Sequence, residues 1–331
     1  MKHANISVFV PHLGCPNDCS FCNQRHITGQ INNASISDVH SAAAIAKTSK
    51  NYNPKNTEIA FFGGSFTAIC RNDMLSLLET AYKYVADGSV SGVRISTRPD
   101  YIDEEILSVL KQYGVTAIEL GAQSLDDEVL KLNNRGHSAL DVFNASELIK
   151  NSGFSLGLQM MTGLFGDTDE GAIKTAKQFI ELKPDTVRIY PTIVLKNTRL
   201  ATLFEQGVYK PQNLDSAVHL CAVLQEMFAS ANINVIRTGL HSIDSDSYIA
   251  GPWHPAFSEL CESRRFLIKI LEICKVNKIY DIYVNPTDIS KFIGQKKSNL
   301  EALKLKGYNI NFIQDKEIER NSFKCKEVKQ G

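Results

Sequence analysis

Short apolar runs alternate along this chain with stretches of helical periodicity. Residues 6–10 (ISVFV), 58–62 (EIAFF), 92–96 (GVRIS), 117–120 (AIEL), 154–161 (FSLGLQMM) and 186–190 (TVRIY) are too short for helices and rich in β-branched or aromatic side chains. They predict six strands, the fourth closed by Gly121. Residues 39–47, 74–85, 103–113, 126–132, 139–151 and 170–182 repeat apolar positions at helical spacing, and Ser35-Ile36-Ser37-Asp38 reads as the cap that opens the first of these helices. A long helix over 214–231 and a short apolar run at 234–236 follow. Strand–helix alternation at this rhythm needs crossover connections and therefore a parallel sheet. The expected fold is α/β, an open, partial (βα)6 TIM-like barrel over residues 1–240.

Beyond it the pattern changes. Residues 241–257 shift to Gly, Pro, Ser and Asp around the sole tryptophan, Trp253, and predict a structured connector carrying His241 and His254. Either histidine is a candidate for catalysis, against the ordinary role of a loop histidine. Residues 258–331 predict a small C-terminal α/β domain: helix 258–274, strand 279–284, short helix 288–293, helix 299–305 and strand 308–313.

In parallel α/β architectures ligands collect at the carboxyl ends of strands. Those ends are here a cysteine-rich loop, Gly63-Gly64-Ser65, Thr97-Arg98-Pro99, Ala122-Gln123-Ser124, Thr162-Gly163 and Tyr190-Pro191-Thr192. Gly63 and Gly64 lack a Cβ and permit close approach to a ligand.

The chain has 331 residues, 43% of them hydrophobic, enough for one large domain and a small one. Net charge is zero, which excludes a global field toward nucleic acid or membrane. From Ser258 onward, however, fifteen Lys and Arg stand against ten Asp and Glu, a local excess that would suit an anionic partner. The first ten residues hold too short an apolar run for a signal peptide, and no run approaches a membrane span. A cytoplasmic protein without a membrane partner is expected.

Three of the eight cysteines crowd into residues 8–29, VFVPHLGCPNDCSFCNQRHITG. Cys15, Cys19 and Cys22, spaced C-x3-C-x2-C, can converge on one small object. Zinc, completed by His12 or His26, is one such object; an iron–sulfur cluster is another. The other five cysteines (Cys70, Cys221, Cys261, Cys274, Cys325) form no close pair in sequence and read mostly as buried small hydrophobes.

With Phe21 as the aromatic of C-x3-C-x-(aromatic)-C, this loop resembles the signature of radical S-adenosylmethionine (SAM) enzymes. The resemblance implies a [4Fe-4S] cluster on Cys15, Cys19 and Cys22 with one iron open to SAM, and an oxygen-labile site in a reducing compartment. Gly63 and Gly64 resemble the family's GGE motif, whose backbone receives the SAM amino group, with Ser65 in place of Glu. Residues 118–137, IELGAQSLDDEVLKLNNRGH, are similar to the G-x-Q-S and following Arg of oxygen-independent coproporphyrinogen oxidase and the Elongator catalytic subunit. This implies SAM contacts for Gln123, for Gln159 at the ribose and for Arg135 at the carboxylate; the alternative for Arg135 is a surface ion pair with Asp126 or Asp127. Residues 96–100 (STRPD), 158–166 (LQMMTGLFG), 188–192 (RIYPT) and 207–211 (GVYKP) resemble Elongator in particular and point to Arg98, Tyr190 and Lys196 as substrate or catalytic residues. Elongator's acetyltransferase domain is not expected in this chain.

The tail resembles a bacterial KH domain, in which a GXXG loop clamps a nucleic-acid backbone. Here the loop is Gly294-Gln295-Lys296-Lys297, with Lys297 where the second glycine belongs, so Gly294, Lys296 and Lys297 are the candidate RNA contacts. The resemblances together imply a radical SAM enzyme that cleaves SAM to a 5′-deoxyadenosyl radical and modifies RNA, supplied with electrons by a donor such as flavodoxin or ferredoxin. The alternatives are a radical SAM enzyme acting on a small molecule such as a porphyrinogen, and a non-catalytic, metal-containing RNA-binding protein.

Overall fold

The structure, a computed structural model, describes residues 3–10, 18–22, 34–240, 243 and 245–328. Cys15, His12, His26 and His241 lie outside the described residues.

The chain opens with strand β1 (Ala4–Val10), helix α1 (Ile36–Lys47), β2 (Thr57–Gly63), α2 (Arg71–Ala86), β3 (Gly92–Thr97) and α3 (Glu104–Gln112). It continues through β4 (Val115–Gln123), α4 (Asp127–Leu132), α5 (Ala139–Asn151), β5 (Ser155–Thr162), α6 (Asp169–Leu182) and β6 (Thr186–Pro191). A short strand β7 (Val194–Leu195), α7 (Arg199–Glu205), α8 (Leu214–Ser230), β8 (Asn234–Thr238) and β9 (Tyr248–Ala250) complete this part. The principal sheet has seven strands in the order β1-β2-β3-β4-β5-β6-β8, every neighbouring pair parallel, and curls into an open half-barrel. The run at 234–236 is thus a seventh strand. The helices start where their caps direct: Ser35 and Ser138 each make a capping box, with Asp38 and Asp141 respectively.

Strand alternation sorts the side chains. Ile59, Phe61, Val93, Ile95, Ile118, Leu120, Leu158, Met160, Val187 and Ile189 join the principal core beneath the helices. The alternate positions, among them Glu58, Arg94, Glu119, Gln159 and Arg188, face the concave side. Gly121 does not end β4. The strand runs on to Gln123 through an irregularity in its pairing with β5.

The tail comprises α9 (Phe257–Ile273), β10 (Ile279–Val284), α10 (Ile289–Ile293), α11 (Ser298–Leu305), β11 (Asn309–Gln314) and β12 (Phe323–Val328). Its sheet has the order β11-β10-β12, with β11 parallel and β12 antiparallel to β10. Helix α9 serves two cores: Phe257 and Cys261 belong to that of the barrel, while Phe266, Leu267 and Ile270 join that of the tail, where Phe292 stacks on Phe266. Buried Asn299 donates from Nδ2 to the carbonyls of Ser263 and Phe292 and so ties α11 to α9 and α10.

Distance along the chain hid two cysteine contacts. Cys274 Sγ lies 3.6 Å from Cys325 Sγ, and buried Cys221 adjoins buried Cys261. Burial and the neighbouring sulfur push the Cys274 thiol up to about 12. Cys70 is exposed rather than buried. Among the described residues no helix is long and apolar enough to cross a membrane.

Candidate active site

Of the three clustered cysteines, Cys19 and Cys22 fall among the described residues. A turn joins them, the Cys22 N–H donating to the Cys19 carbonyl. This segment is fastened at several points. Ser20 donates from N and Oγ to the carbonyl and Oδ1 of Asn133, and its own carbonyl accepts from Leu200 N at the start of α7. Asn133, fully buried, donates from Nδ2 to the carbonyls of Val129 and Phe165. Phe21 packs against two small apolar clusters, one containing Met161 and Leu164 and the other Val194 and Leu200.

The loop after α4 delivers Arg135 to the same place. Its side chain is 7% exposed; Nη1 donates to Cys19 Sγ at 3.2 Å and Nη2 to the Gly121 carbonyl. Asp126 and Asp127 are engaged elsewhere, accepting from helix-start N–H groups at Glu128, Val129 and Ala139. The surface ion-pair alternative for Arg135 therefore falls. A Cβ on Gly121 would stand 3.0 Å from Gln123 Nε2 and 3.5 Å from Arg135 Nη2, so the glycine makes room for both. Gln123 ends β4 in the left-handed region (φ 68°) and is buried. Its Oε1 accepts from Gln159 Nε2 at 3.2 Å. An amide pair and a guanidinium thus border the cysteine segment at the ends of β4 and β5.

On the other side of the mouth, Gly63 (φ 110°) is demanded by packing: a Cβ there would lie 2.4 Å from Phe9 Cε1 and 2.7 Å from the Val10 carbonyl. The Gly64 N–H is engaged by Val10 O. An ammonium needs a carbonyl acceptor rather than an N–H, so this turn can still serve one. Buried Ser65 points inward, bonding Thr97 Oγ1 at 2.8 Å and accepting from Arg98 N. Arg98 is 3% exposed and pairs bidentately with Asp100 at 2.9 and 2.6 Å. His137 donates from Nε2 to the Ala122 carbonyl. Burial and the Arg135 charge lower its pKa to about 4, so it is neutral at pH 7. Tyr190 is half-buried, whereas Lys196 is exposed beside the β7–β9 ribbon. His254 Nδ1 accepts from Ala256 N and holds a turn.

Beneath the mouth lies a feature the sequence reading passed over. Glu58, Arg94, Glu119 and Arg188, from β2, β3, β4 and β6, form a buried chain of alternating charge. Arg94 Nε meets Glu58 Oε2 at 2.9 Å and its Nη1 meets Glu119 Oε1 at 3.3 Å; Arg188 grips Glu119 at 2.6 and 3.0 Å. Gly157 on β5 lets the last pair form, because a Cβ there would lie 2.8 Å from Glu119 Cγ. Arg188 also lies under the Phe62 ring.

In the tail, Gly294 has φ 81°, and a Cβ there would meet Ser298 Oγ at 2.5 Å. Lys296 and Lys297 are exposed, and both take left-handed backbone (φ 52° and 65°). Lys297 therefore adopts at the motif's second position a conformation that glycine favours.

The donor set suits an iron–sulfur cluster. Cys19 and Cys22 lie one turn apart, with a fixed guanidinium against a sulfur, and such a charge accommodates a net-negative, thiolate-ligated object. Among the described residues no group of three metal-ligating side chains competes for a metal.

Comparison with known proteins agrees. The Radical SAM superfamily matches residues 9–179, and the radical SAM C-terminal domain matches residues 184–266. A tRNA uridine(34) acetyltransferase of Methanocaldococcus jannaschii is 32% identical over 199 residues, 54% of this chain and 37% of that protein. Human Elongator complex protein 3 is 37% identical over 134 residues, 40% of this chain and 24% of that protein. The chain thus spans well under half the length of these curated relatives. An uncharacterized protein of M. jannaschii is 26% identical over 253 residues and is covered to 77%. In fold, the chain is similar to the solved Elp3 of Methanocaldococcus infernus, with a TM-score of 0.63 at 21% identity, covering 83% of this chain and 65% of that one. With the superfamily match running across half its length, the chain belongs to the Radical SAM superfamily and is an enzyme whose cofactors are a [4Fe-4S] cluster and S-adenosylmethionine.

Proposed function

We propose that this enzyme modifies RNA, with uridine in tRNA as the substrate class. Cys15, Cys19 and Cys22 hold the cluster. Gln123, Gln159, Arg135 and the turn of Gly63, Gly64 and Ser65 bind SAM, with Phe21 packed alongside. Arg98 and Tyr190 flank the substrate, Lys196 reaches it from outside the mouth, and Gly294, Lys296 and Lys297 meet the RNA backbone. When bound, the cluster and SAM would supply one-electron radical chemistry for hydrogen-atom abstraction from the substrate. The protein's own part is orientation: Asn133 and Leu200 hold the cysteine segment, Arg135 and the amide pair order the ligand's polar groups, and the half-barrel wall excludes water. A one-electron donor of the flavodoxin or ferredoxin kind supplies reduction in the cytoplasm.

The observation that carries the SAM site is the pair of Arg135 contacts, to Cys19 Sγ and to the Gly121 carbonyl, which join the end of β4 to the cysteine segment. The names of the curated relatives and the basic tail loop support RNA as substrate. Anaerobic reconstitution is expected to load about four irons per chain and to release 5′-deoxyadenosine from SAM; replacing all three clustered cysteines with Ala abolishes both. A modified-nucleoside profile of total RNA from cells with and without the protein tests the substrate. Identical profiles would sink the RNA reading and leave SAM cleavage standing.

A further inference from the structure

A cleft of about 660 Å³ separates the barrel from the tail. Its floor is β8, which among the described strands pairs only with β6, so its other side is the open edge of the sheet. Helices α8 and α9 and the segment 319–322 wall it. Most charges there are engaged: Arg265 and Lys269 share Glu226, and Lys291 holds Glu262.

Arg237 and Arg320 differ. Neither has a carboxylate within ion-pair distance among the described residues, and Glu319 at the rim is the one opposing charge left over. Arg320 is exposed. Arg237 is half-buried, its Nε engaged by the Gly239 carbonyl, and it stands opposite Arg188 in the β6–β8 register. Burial disfavours its cationic form. A partly buried guanidinium with no carboxylate beside it is poorly compensated until an anion arrives.

The cleft also has direction. Lys291 on its tail side lies three residues before Gly294, and Thr238, which also lines it, precedes Gly239, whose N–H bonds Ile189 O next to Tyr190. We infer that the cleft carries the phosphodiester backbone of a single RNA strand from the tail loop to the barrel mouth, with Arg237 as the inner phosphate contact and Arg320 as the outer one. This rests on RNA being the substrate.

Binding of a labelled short single-stranded RNA, followed by anisotropy across a salt series, tests it. Arg237→Gln should weaken binding about fivefold to tenfold at low salt and reduce the salt slope by about 0.7, the value of one phosphate contact on a single strand. Arg237→Lys should keep the slope. Matching thermal melts of the variants and parent guard against misfolding. If Arg237→Gln binds like the parent while the Lys296→Glu, Lys297→Glu double variant loses RNA, the cleft path is wrong and the RNA reading survives. A parent that binds no RNA removes both. Millimolar inorganic phosphate that displaces RNA from the parent but not from Arg237→Gln would mark a small-anion pocket instead, and would overturn the inference.

Discussion

The concave face of the barrel and the surface of the tail are both rich in charge, and they use it in opposite ways. Across β2 to β6 the side chains of Glu58, Arg94, Glu119 and Arg188 are between 5 and 12% exposed, and each is matched by an opposite charge from another strand. In the tail loop, Lys296 and Lys297 stand in solvent, on backbone that their residue type does not favour. Buried charge is tolerated only in fixed, complete sets, and removing one member is costly. Exposed charge is replaceable, screened by salt and available to a partner. The difference separates a scaffold that positions a mouth from a surface that meets a polyanion.

The largest effect should come from breaking the buried chain at its centre. Glu119 is the shared partner of two arginines, so Glu119→Ala strands both in the barrel interior. A loss of about 3–5 kcal/mol in urea unfolding is expected. Glu119→Gln should lose less, since it keeps the hydrogen bonds. A loss near zero for the Ala variant would mean that water already reaches the layer.

Acid titration sharpens the contrast next. Burial and the Arg135 charge hold the His137 pKa at about 4 in the folded chain, against an ordinary value of 6.5. Between those values the unfolded chain holds a proton that the folded chain does not, so stability rises with pH there, by at most about 3 kcal/mol. Asp167 opposes it. Burial lifts its carboxyl from 3.8 to about 6, the folded state holds the extra proton, and stability falls as pH rises through that range. In the parent the two slopes offset each other. Asp167→Asn should expose a stability that drops on acidification from pH 6.5 to 4, and His137→Gln should expose one that increases. Flat unfolding midpoints in both variants would show that neither group is perturbed by the fold.

The strands of the barrel were legible in the sequence because each is a short apolar run with clear ends, and helix starts such as Ser35 and Ser138 announce themselves by their caps. The end of β4 was not. Gly121 reads as a strand breaker, whereas its missing Cβ makes room for Arg135 and Gln123. The buried charge chain left a trace, one charged residue inside each of four apolar strands. The alternation of sign appears only when the strands are set in sheet order, with Gly157 opening the way across β5. The Ser20–Asn133 bond joins residues 113 apart and has no local signal. Strand β12 is an edge strand with mostly exposed, charged positions, so it lacks the apolar run that would mark it. At the mouth, Arg135 was read from a motif, and what the structure adds is its contact with Cys19.

That contact gives the third test. Arg135→Ala should retain the cluster yet weaken SAM binding by about 1.5–3 kcal/mol, the range for a hydrogen bond to a charged group. Lys at this position should rescue only part, because it lacks the planar fork that spans a sulfur and a carbonyl or pairs with a carboxylate. Equilibrium binding of SAM to reconstituted protein measures the loss. Full affinity in the Ala variant with intact iron would make Arg135 a structural brace of the cysteine segment and nothing more.

The smallest effect is expected where the tail departs from its motif. At Lys297 the backbone has φ 65°, a conformation that strains a side-chain-bearing residue and suits glycine. Lys297→Gly relieves that strain but frees the unfolded chain, so the two contributions largely offset and the tail should shift in stability by less than about 1 kcal/mol. The same substitution removes one exposed positive charge. If the loop grips RNA by shape, affinity should hold or rise as the turn relaxes. If it grips by charge, affinity should fall modestly and the salt slope should shrink by about one phosphate contact. The second outcome is the expected one, because Lys296 and Lys297 are both exposed and no carboxylate pairs with either among the described residues. Tighter binding in Lys297→Gly, with the salt slope unchanged, would show that the loop is a geometric clamp weakened by its lysine, and the contrast between buried framework and electrostatic surface would no longer hold for this loop.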